Sequence, residues 1–163
     1  MEQLNKQKNV REFNDNSLMI VDDDNPFRDR LSRAMEKKGF RVTQAEGVKK
    51  AQDILKALKP SFAVIDLRLN DGNGLEVVKK IEELGIESRI IILTGYGNIP
   101  TAVAAIKHGA IDYLAKPADA DDVEKALLAD PKSKAQPPEN PMTADRVKWE
   151  HIHRVFELCN RNV

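Results

Sequence analysis

The sequence predicts an α/β fold, a doubly wound five-stranded parallel sheet with helices on both faces. Three observations predict it. A short apolar run followed by a stretch of helical period occurs five times over about 110 residues. The most β-branched run, Arg89 to Leu93, reads as a strand covered on both sides. Four of the runs also stop at particular polar groups. Met19-Ile20-Val21 stops at Asp22, Asp23 and Asp24, and Val64-Ile65 at Asp66. Ile91-Ile92-Leu93 stops at Thr94, and Asp112-Tyr113-Leu114-Ala115 at Lys116-Pro117. Strand-to-strand connections of this length force parallel pairing with right-handed crossovers. The ligand crevice of such a sheet lies at the carboxyl ends of its strands, where the strand order reverses. All four polar stops fall at those ends.

The elements follow in order. Residues 1–16 are polar without period and read as a flexible arm. Ser17 to Val21 is the first strand. Asn25-Pro26 starts a helix as cap and first helical proline, Phe27, Leu31, Ala34 and Met35 form its stripe, and Gly39 is its stop. Phe40, Val42 and Gln44 alternate as in an edge strand. Val48, Ala51, Ile54, Leu55 and Leu58 mark the second helix, with Pro60 past its end. Ser61 to Asp66 is the third strand, and residues 70–74 form a turn. Leu75, Val78, Ile81 and Leu84 stripe the third helix. Residues 95–98 loop into a helix from about Ile99. Asp112 to Ala115 is the fifth strand, and Asp119 with Asp122 opens the last helix in a capping-box-like arrangement. A proline-rich linker runs from 130 to 142. Over 143–163, Trp149, Ile152, Phe156 and Cys159 lie along one helical face. One such helix cannot bury its stripe alone.

The chain has 163 residues, 41% apolar and 32% charged, enough for one packed domain with appendages. Its formal net charge of zero argues against strong nucleic-acid or membrane binding by the chain as a whole. The single cysteine excludes an internal disulfide, and no zinc-ligand cluster is present. The start lacks the apolar core of a signal peptide, and no apolar stretch approaches the roughly 20 residues of a membrane helix. A cytoplasmic location is the expectation.

Asp22 and Asp23 with Asp66 make a plausible magnesium site. Magnesium takes oxygens, keeps several waters, and needs only one or two carboxylates beside a substrate phosphate. The Asp66 carboxylate is a nucleophile at neutral pH without a general base. Lys116 and the metal would neutralise phosphoryl oxygens while Thr94 donated a hydrogen bond. Taken singly, each residue has a plainer reading as helix cap, turn, loop start or exposed amine. Their meeting at one sheet edge gives the chemical reading its force.

Ile20-Val21-Asp22-Asp23-Asp24, Val64-Ile65-Asp66-Leu67, Leu93-Thr94-Gly95 and Tyr113-Leu114-Ala115-Lys116-Pro117 resemble the receiver domain of two-component response regulators over residues 17–129. The resemblance implies a flavodoxin-like (βα)5 fold with strand order 2-1-3-4-5. It implies Asp66 as phosphoacceptor, served by a sensor histidine kinase. It further implies Asp23 as direct magnesium ligand, Asp22 as ligand through water, and the backbone carbonyl of Arg68 as another. Thr94 and Tyr113 would be the switch pair, and the Lys116–Pro117 bond would be cis. The chain would be no enzyme beyond its own phosphorylation and autodephosphorylation, and helix 4, strand 5 and helix 5 would be the readout and dimer surface. Where receivers often carry Met-Pro, this chain has Arg68-Leu69-Asn70, a departure that bears on phosphoryl lifetime.

Further segments resemble redox-responsive global regulators of the PrrA/RegA/ActR type. They are Asp71-Gly72-Asn73-Gly74, Thr101-Ala102-Val103-Ala104-Ala105, Pro137-Pro138-Glu139-Asn140-Pro141 and Trp149-Glu150-His151-Ile152. This resemblance implies that 143–163 is the first helix of a Fis-like helix-turn-helix domain, truncated before its recognition helix. DNA would then be a partner of the full-length output domain and not of this chain. Two alternatives stand beside this reading. One is a stand-alone receiver acting through protein contacts. The other is a haloacid-dehalogenase-type magnesium-dependent phosphatase, which usually carries a second acid where Arg68 stands.

Overall fold

The computed structural model describes residues 13, 15–95 and 99–129. By contact density the chain divides into Met1–Leu128 and Ala129–Val163. The expected linker and tail helix lie outside the described residues, as do residues 96–98. Five strands form one parallel sheet: β1 (Ser17–Val21), β2 (Arg41–Ala45), β3 (Phe62–Asp66), β4 (Arg89–Thr94) and β5 (Ala110–Ala115). Their spatial order is β2-β1-β3-β4-β5, as expected. The order reverses between β1 and β3, and Val21 pairs in register with Ile65. That register sets Asp22 and Asp66 level with each other at the switch point.

Five helices alternate with the strands: α1 (Asn25–Lys37), α2 (Val48–Ala57), α3 (Gly74–Glu83), α4 (Ile99–Lys107) and α5 (Ala120–Leu128). Helix α1 packs with α5, while α2 packs with α3 and α3 with α4. Side chains alternate along each strand, so both sheet faces are buried. Leu18, Ile20, Val64, Ile91 and Leu93 point to the core shared with Leu31, Met35, Val123 and Leu127 of α1 and α5. Met19, Val21, Ile65 and Ile92 alternate with them and are equally buried.

Several expectations shift. Asp24, not Asn25, caps α1: its extended backbone lets Oδ1 accept the N–H of Phe27 at 3.1 Å, with Pro26 inside the first turn. The stripes of α2 and α3 end early. The chain leaves α2 at Leu58, which is extended and 49% exposed, and Leu84 is the exposed C-cap of α3. Val77 is buried where the sequence pattern favoured Leu84. Strand β5 begins two residues early, with a register shift opposite Ile90 and Ile91.

The segment before β1 is anchored where it is described. Phe13 meets Phe62 edge-on at 5.3 Å, and Phe40 meets the same ring at 5.2 Å. Asp15 accepts from the Ser17 N–H at 3.0 Å and from the Ser61 hydroxyl at 3.1 Å. The Ser17 backbone bond leads the causes that hold its carboxyl below the ordinary range. A period-based reading misses this because one aromatic and one aspartate make no pattern.

The expected turn after β3 contains more structure than a turn. Arg68–Leu69 and Gly72–Asn73 form a two-residue antiparallel ladder. Asn73 caps α3 in a full capping box with Glu76. Asp71 reaches across to accept the N–H groups of Val48 at 2.8 Å and Lys49 at 3.0 Å, capping α2 where Gly47 has no side chain. Gly74 then packs its Cα against the Asp66 backbone. A Cβ there would overlap the Asp66 carbonyl oxygen and crowd Ile65 Cγ2. Gly74→Ala is therefore expected to destabilise by ~1–3 kcal/mol. Urea unfolding reads that loss, and the displaced Asp66 should also slow any chemistry at its carboxylate.

Candidate functional site

Four of the five strand ends each deliver a group to the site. Asp22 follows β1 and is fully buried, Asp66 ends β3 at 5% exposure, and Thr94 ends β4 at 1%. Lys116 follows β5, its backbone N–H bonded to the Thr94 carbonyl at 2.9 Å. The Lys116–Pro117 peptide is cis. The lysine Nζ reaches into the cleft, 2.9 Å from Asp22 Oδ2 and 2.8 Å from Asp66 Oδ2. Residues from three strand ends thus meet in one pair of charge-assisted hydrogen bonds.

The other carboxylate oxygens are held by backbone. Asp66 Oδ1 accepts the Arg68 N–H at 3.1 Å, and Asp22 Oδ1 accepts the Asp24 N–H at 2.9 Å. Arg28 donates from Nη1 to the Asp22 carbonyl at 2.7 Å and from Nε to Gln44 at 2.8 Å, fixing the β1 end to α1 and β2. Thr94 Oγ1 donates to the Gly95 carbonyl at 3.1 Å. Phe27 presents its ring to Lys116 Nζ at 4.8 Å. Tyr113 is buried, and its hydroxyl is held above its ordinary pKa by burial and by the charge of Asp112. The side chain of Arg68 is exposed.

The electrostatics follow from burial. Desolvation pushes the Asp66 pKa up, and the Asp22 charge adds to it, against the hydrogen bond from Lys116. Burial works against the Lys116 ammonium, but Asp66 and then Asp22 outweigh it, so its pKa is raised. Asp22, Asp23 and Asp66 each offer an oxygen, all within 4.8 Å of one another. Three carboxyl groups meet one ammonium, an acidic excess that suits a divalent cation. The donor set is all oxygen, with Asp22 and Asp66 buried and Asp23 partly open to water. This fits a hard ion that retains water ligands.

The sequence named the carboxylates, Thr94, Tyr113 and Lys116, and it missed Phe27, Arg28, Asp71 and Gly74. Phe27 was placed in an apolar stripe and Asp71 and Gly74 in a turn cluster. The stripe at Phe27 and the turn at Asp71 were read correctly, whereas Gly74 opens α3, and the partners of all three come from other elements. Arg28, four residues after Asp24 on the first helix, offered only its closeness to the acidic run as a signal.

Comparison with known proteins bears on these groups. The family model described as the response regulator receiver domain matches residues 18–128. The photosynthetic apparatus regulatory protein RegA of Rhodobacter capsulatus is 61% identical over 91% of this chain and 81% of its own length. The acid tolerance regulatory protein ActR of Rhizobium meliloti is 58% identical over 91% of this chain and 77% of its own. Among solved structures, a response regulator from Burkholderia pseudomallei with a phosphorylated aspartic acid, calcium ion and citrate superposes with a TM-score of 0.69. It is 34% identical, over 90% of this chain and 86% of that one.

Proposed function

We propose that this chain, which belongs to the response regulator receiver family, takes a phosphoryl group onto Asp66 from a phosphohistidine of a sensor kinase. Family membership implies two-component signalling, and the relatives RegA and ActR are named as regulatory proteins. Among the described residues, no helix is long and apolar enough to cross a membrane. The output we assign to this receiver is control of transcription through a DNA-binding domain, a reading supported by relatives named as regulatory proteins. Residues 17–129 are the receiver in this reading, 130–142 the linker and 143–163 the start of the output domain.

The observation that carries the reading is the Asp66 carboxylate. It is buried, bonded to Lys116 at 2.8 Å, and clustered with two further acids. An Oδ of Asp66 attacks phosphorus in line; an O–P bond forms as the N–P bond to the donor imidazole breaks, and the leaving nitrogen keeps the electron pair and takes a proton. Lys116 places its ammonium beside the developing phosphoryl charge. Thr94 and Tyr113 are the proposed switch pair. Thr94 exchanges its Gly95 partner for a phosphoryl oxygen, and the Tyr113 ring repacks with it. Asp22, Asp23, Asp66 and the Arg68 carbonyl would hold a divalent cation, which would supply charge neutralisation at the phosphoryl oxygens. A phosphatase of the haloacid dehalogenase type would need a second acid where the exposed Arg68 stands.

The test is intact mass after incubation with magnesium and acetyl phosphate. The wild type is expected to gain one phosphoryl group and to gain none when a chelator is present. No gain with magnesium would sink the proposal.

A further inference from the structure

Lys116 has a third neighbour besides its two carboxylates. Its Nζ lies 4.8 Å from the centroid of Phe27, inside the roughly 6 Å range over which a ring face attracts an ammonium. The ring is held from two sides. It packs, half-buried, against the core shared by α1 and α5. Its backbone N–H is bonded to the Asp24 cap, and the next residue, Arg28, is anchored on the Asp22 carbonyl at 2.7 Å. The helix start that carries Phe27 is thus pinned to the same strand end that carries the acids.

The three neighbours of the ammonium are not equivalent. The oxygens of Asp22 and Asp66 are the groups a divalent cation would claim, and Asp66 is also the proposed acceptor. Each is contested once the site is in use. The Phe27 ring offers no ligand atom to a metal and no site to a phosphoryl group, so its contact with Lys116 is uncontested. A lysine on a four-carbon stem, 27% exposed, otherwise has the freedom to swing towards water.

We propose that Phe27 is a positioning residue that keeps the Lys116 ammonium in the cleft while the carboxylates are engaged elsewhere. This rests on Asp66 being the phosphoacceptor. The experiment compares Phe27→Leu, which keeps apolar volume but removes the ring, with Phe27→Tyr, which keeps the ring. Phosphate gain at saturating acetyl phosphate and magnesium is expected to slow about three- to tenfold in the leucine variant and to stay near the wild-type rate in the tyrosine variant. A second readout needs no cation and no phosphodonor. The Lys116 ε-methylene protons should show a ring-current shift in the wild type and the tyrosine variant, lost in the leucine variant.

Equal rates for wild type and Phe27→Leu would overturn the inference. So would an equal loss in both variants, which marks a packing role, or a Lys116 resonance that ignores loss of the ring. A wild type that gains no phosphate, or an Asp66→Asn variant that gains as much, overturns the phosphoacceptor reading beneath it.

Discussion

Asp66→Asn is expected to gain no phosphate from acetyl phosphate and, without a divalent cation, to melt above the wild type. The amide keeps the shape of the carboxylate but has no charge to desolvate and no repulsion with Asp22. Those two influences push the Asp66 pKa up. The gain should be on the order of 1 kcal/mol, since the amide has no charge to desolvate and Lys116 keeps Asp22 as its partner. The sign in pH follows. An Asp66 pKa raised in the fold means that the folded chain holds its proton where the unfolded chain, at about 3.8, has lost it. The contribution of Asp66 to stability therefore falls as pH rises from that value through the raised one, against the opposite contribution of carboxyls such as Asp15, Asp71 and Asp121, whose pKa values are lowered. Asp66→Asn should lack that slope. Thermal melting across the carboxylate range in the presence of a chelator measures both effects. A variant that melts below wild type, or keeps the slope, would contradict the electrostatic reading.

Lys116→Ala should have the largest cost in stability. It leaves Asp22 and Asp66 facing each other, buried, without the ammonium that now bridges them at 2.9 and 2.8 Å. Removing one partner of a buried charge group costs ~3–5 kcal/mol. The expectation here is ~2–4 kcal/mol, because Asp66 can protonate and the lysine side is partly open to water. Magnesium should restore much of that loss. A cation at a hundred times its dissociation constant contributes ~2.7 kcal/mol, and the two carboxylates are then free to bind it. Phosphate gain should stay slow in the restored protein, by about a hundredfold or more, because the charge beside the phosphoryl oxygens is still missing. Denaturant unfolding with and without magnesium, paired with intact mass over time, separates stability from rate.

The site was legible in the sequence where one residue stood at the end of one strand. Asp22, Asp66, Thr94 and Lys116 each follow an apolar run, and parallel crossover topology brings such ends together without further information. What stayed hidden depends on contacts between elements far apart in the chain. Asp71 reads as a turn residue until α2 arrives to be capped. Gly74 reads as a turn residue until β3 lies against its Cα. Phe27 satisfies a helical stripe whether or not a lysine stands over its ring. The misplacements at Leu58 and Leu84 share one cause: hydrophobic period continues past the residue where backbone hydrogen bonding stops. Phe13 had no period to reveal it; its ring packs edge-on against Phe62 and lies under the Arg89 guanidinium.

The most direct measurement is to locate the phosphoryl group by chemistry specific to an acyl phosphate. Protein treated with acetyl phosphate and magnesium is reduced with borohydride, which acts on the mixed anhydride and spares ordinary carboxylates, and its peptides are then weighed. The predicted result is one altered peptide, carrying the change at residue 66, absent without magnesium and absent in Asp66→Asn. A change at any other aspartate, or phosphate gain with no reducible group, would contradict Asp66 as the acceptor.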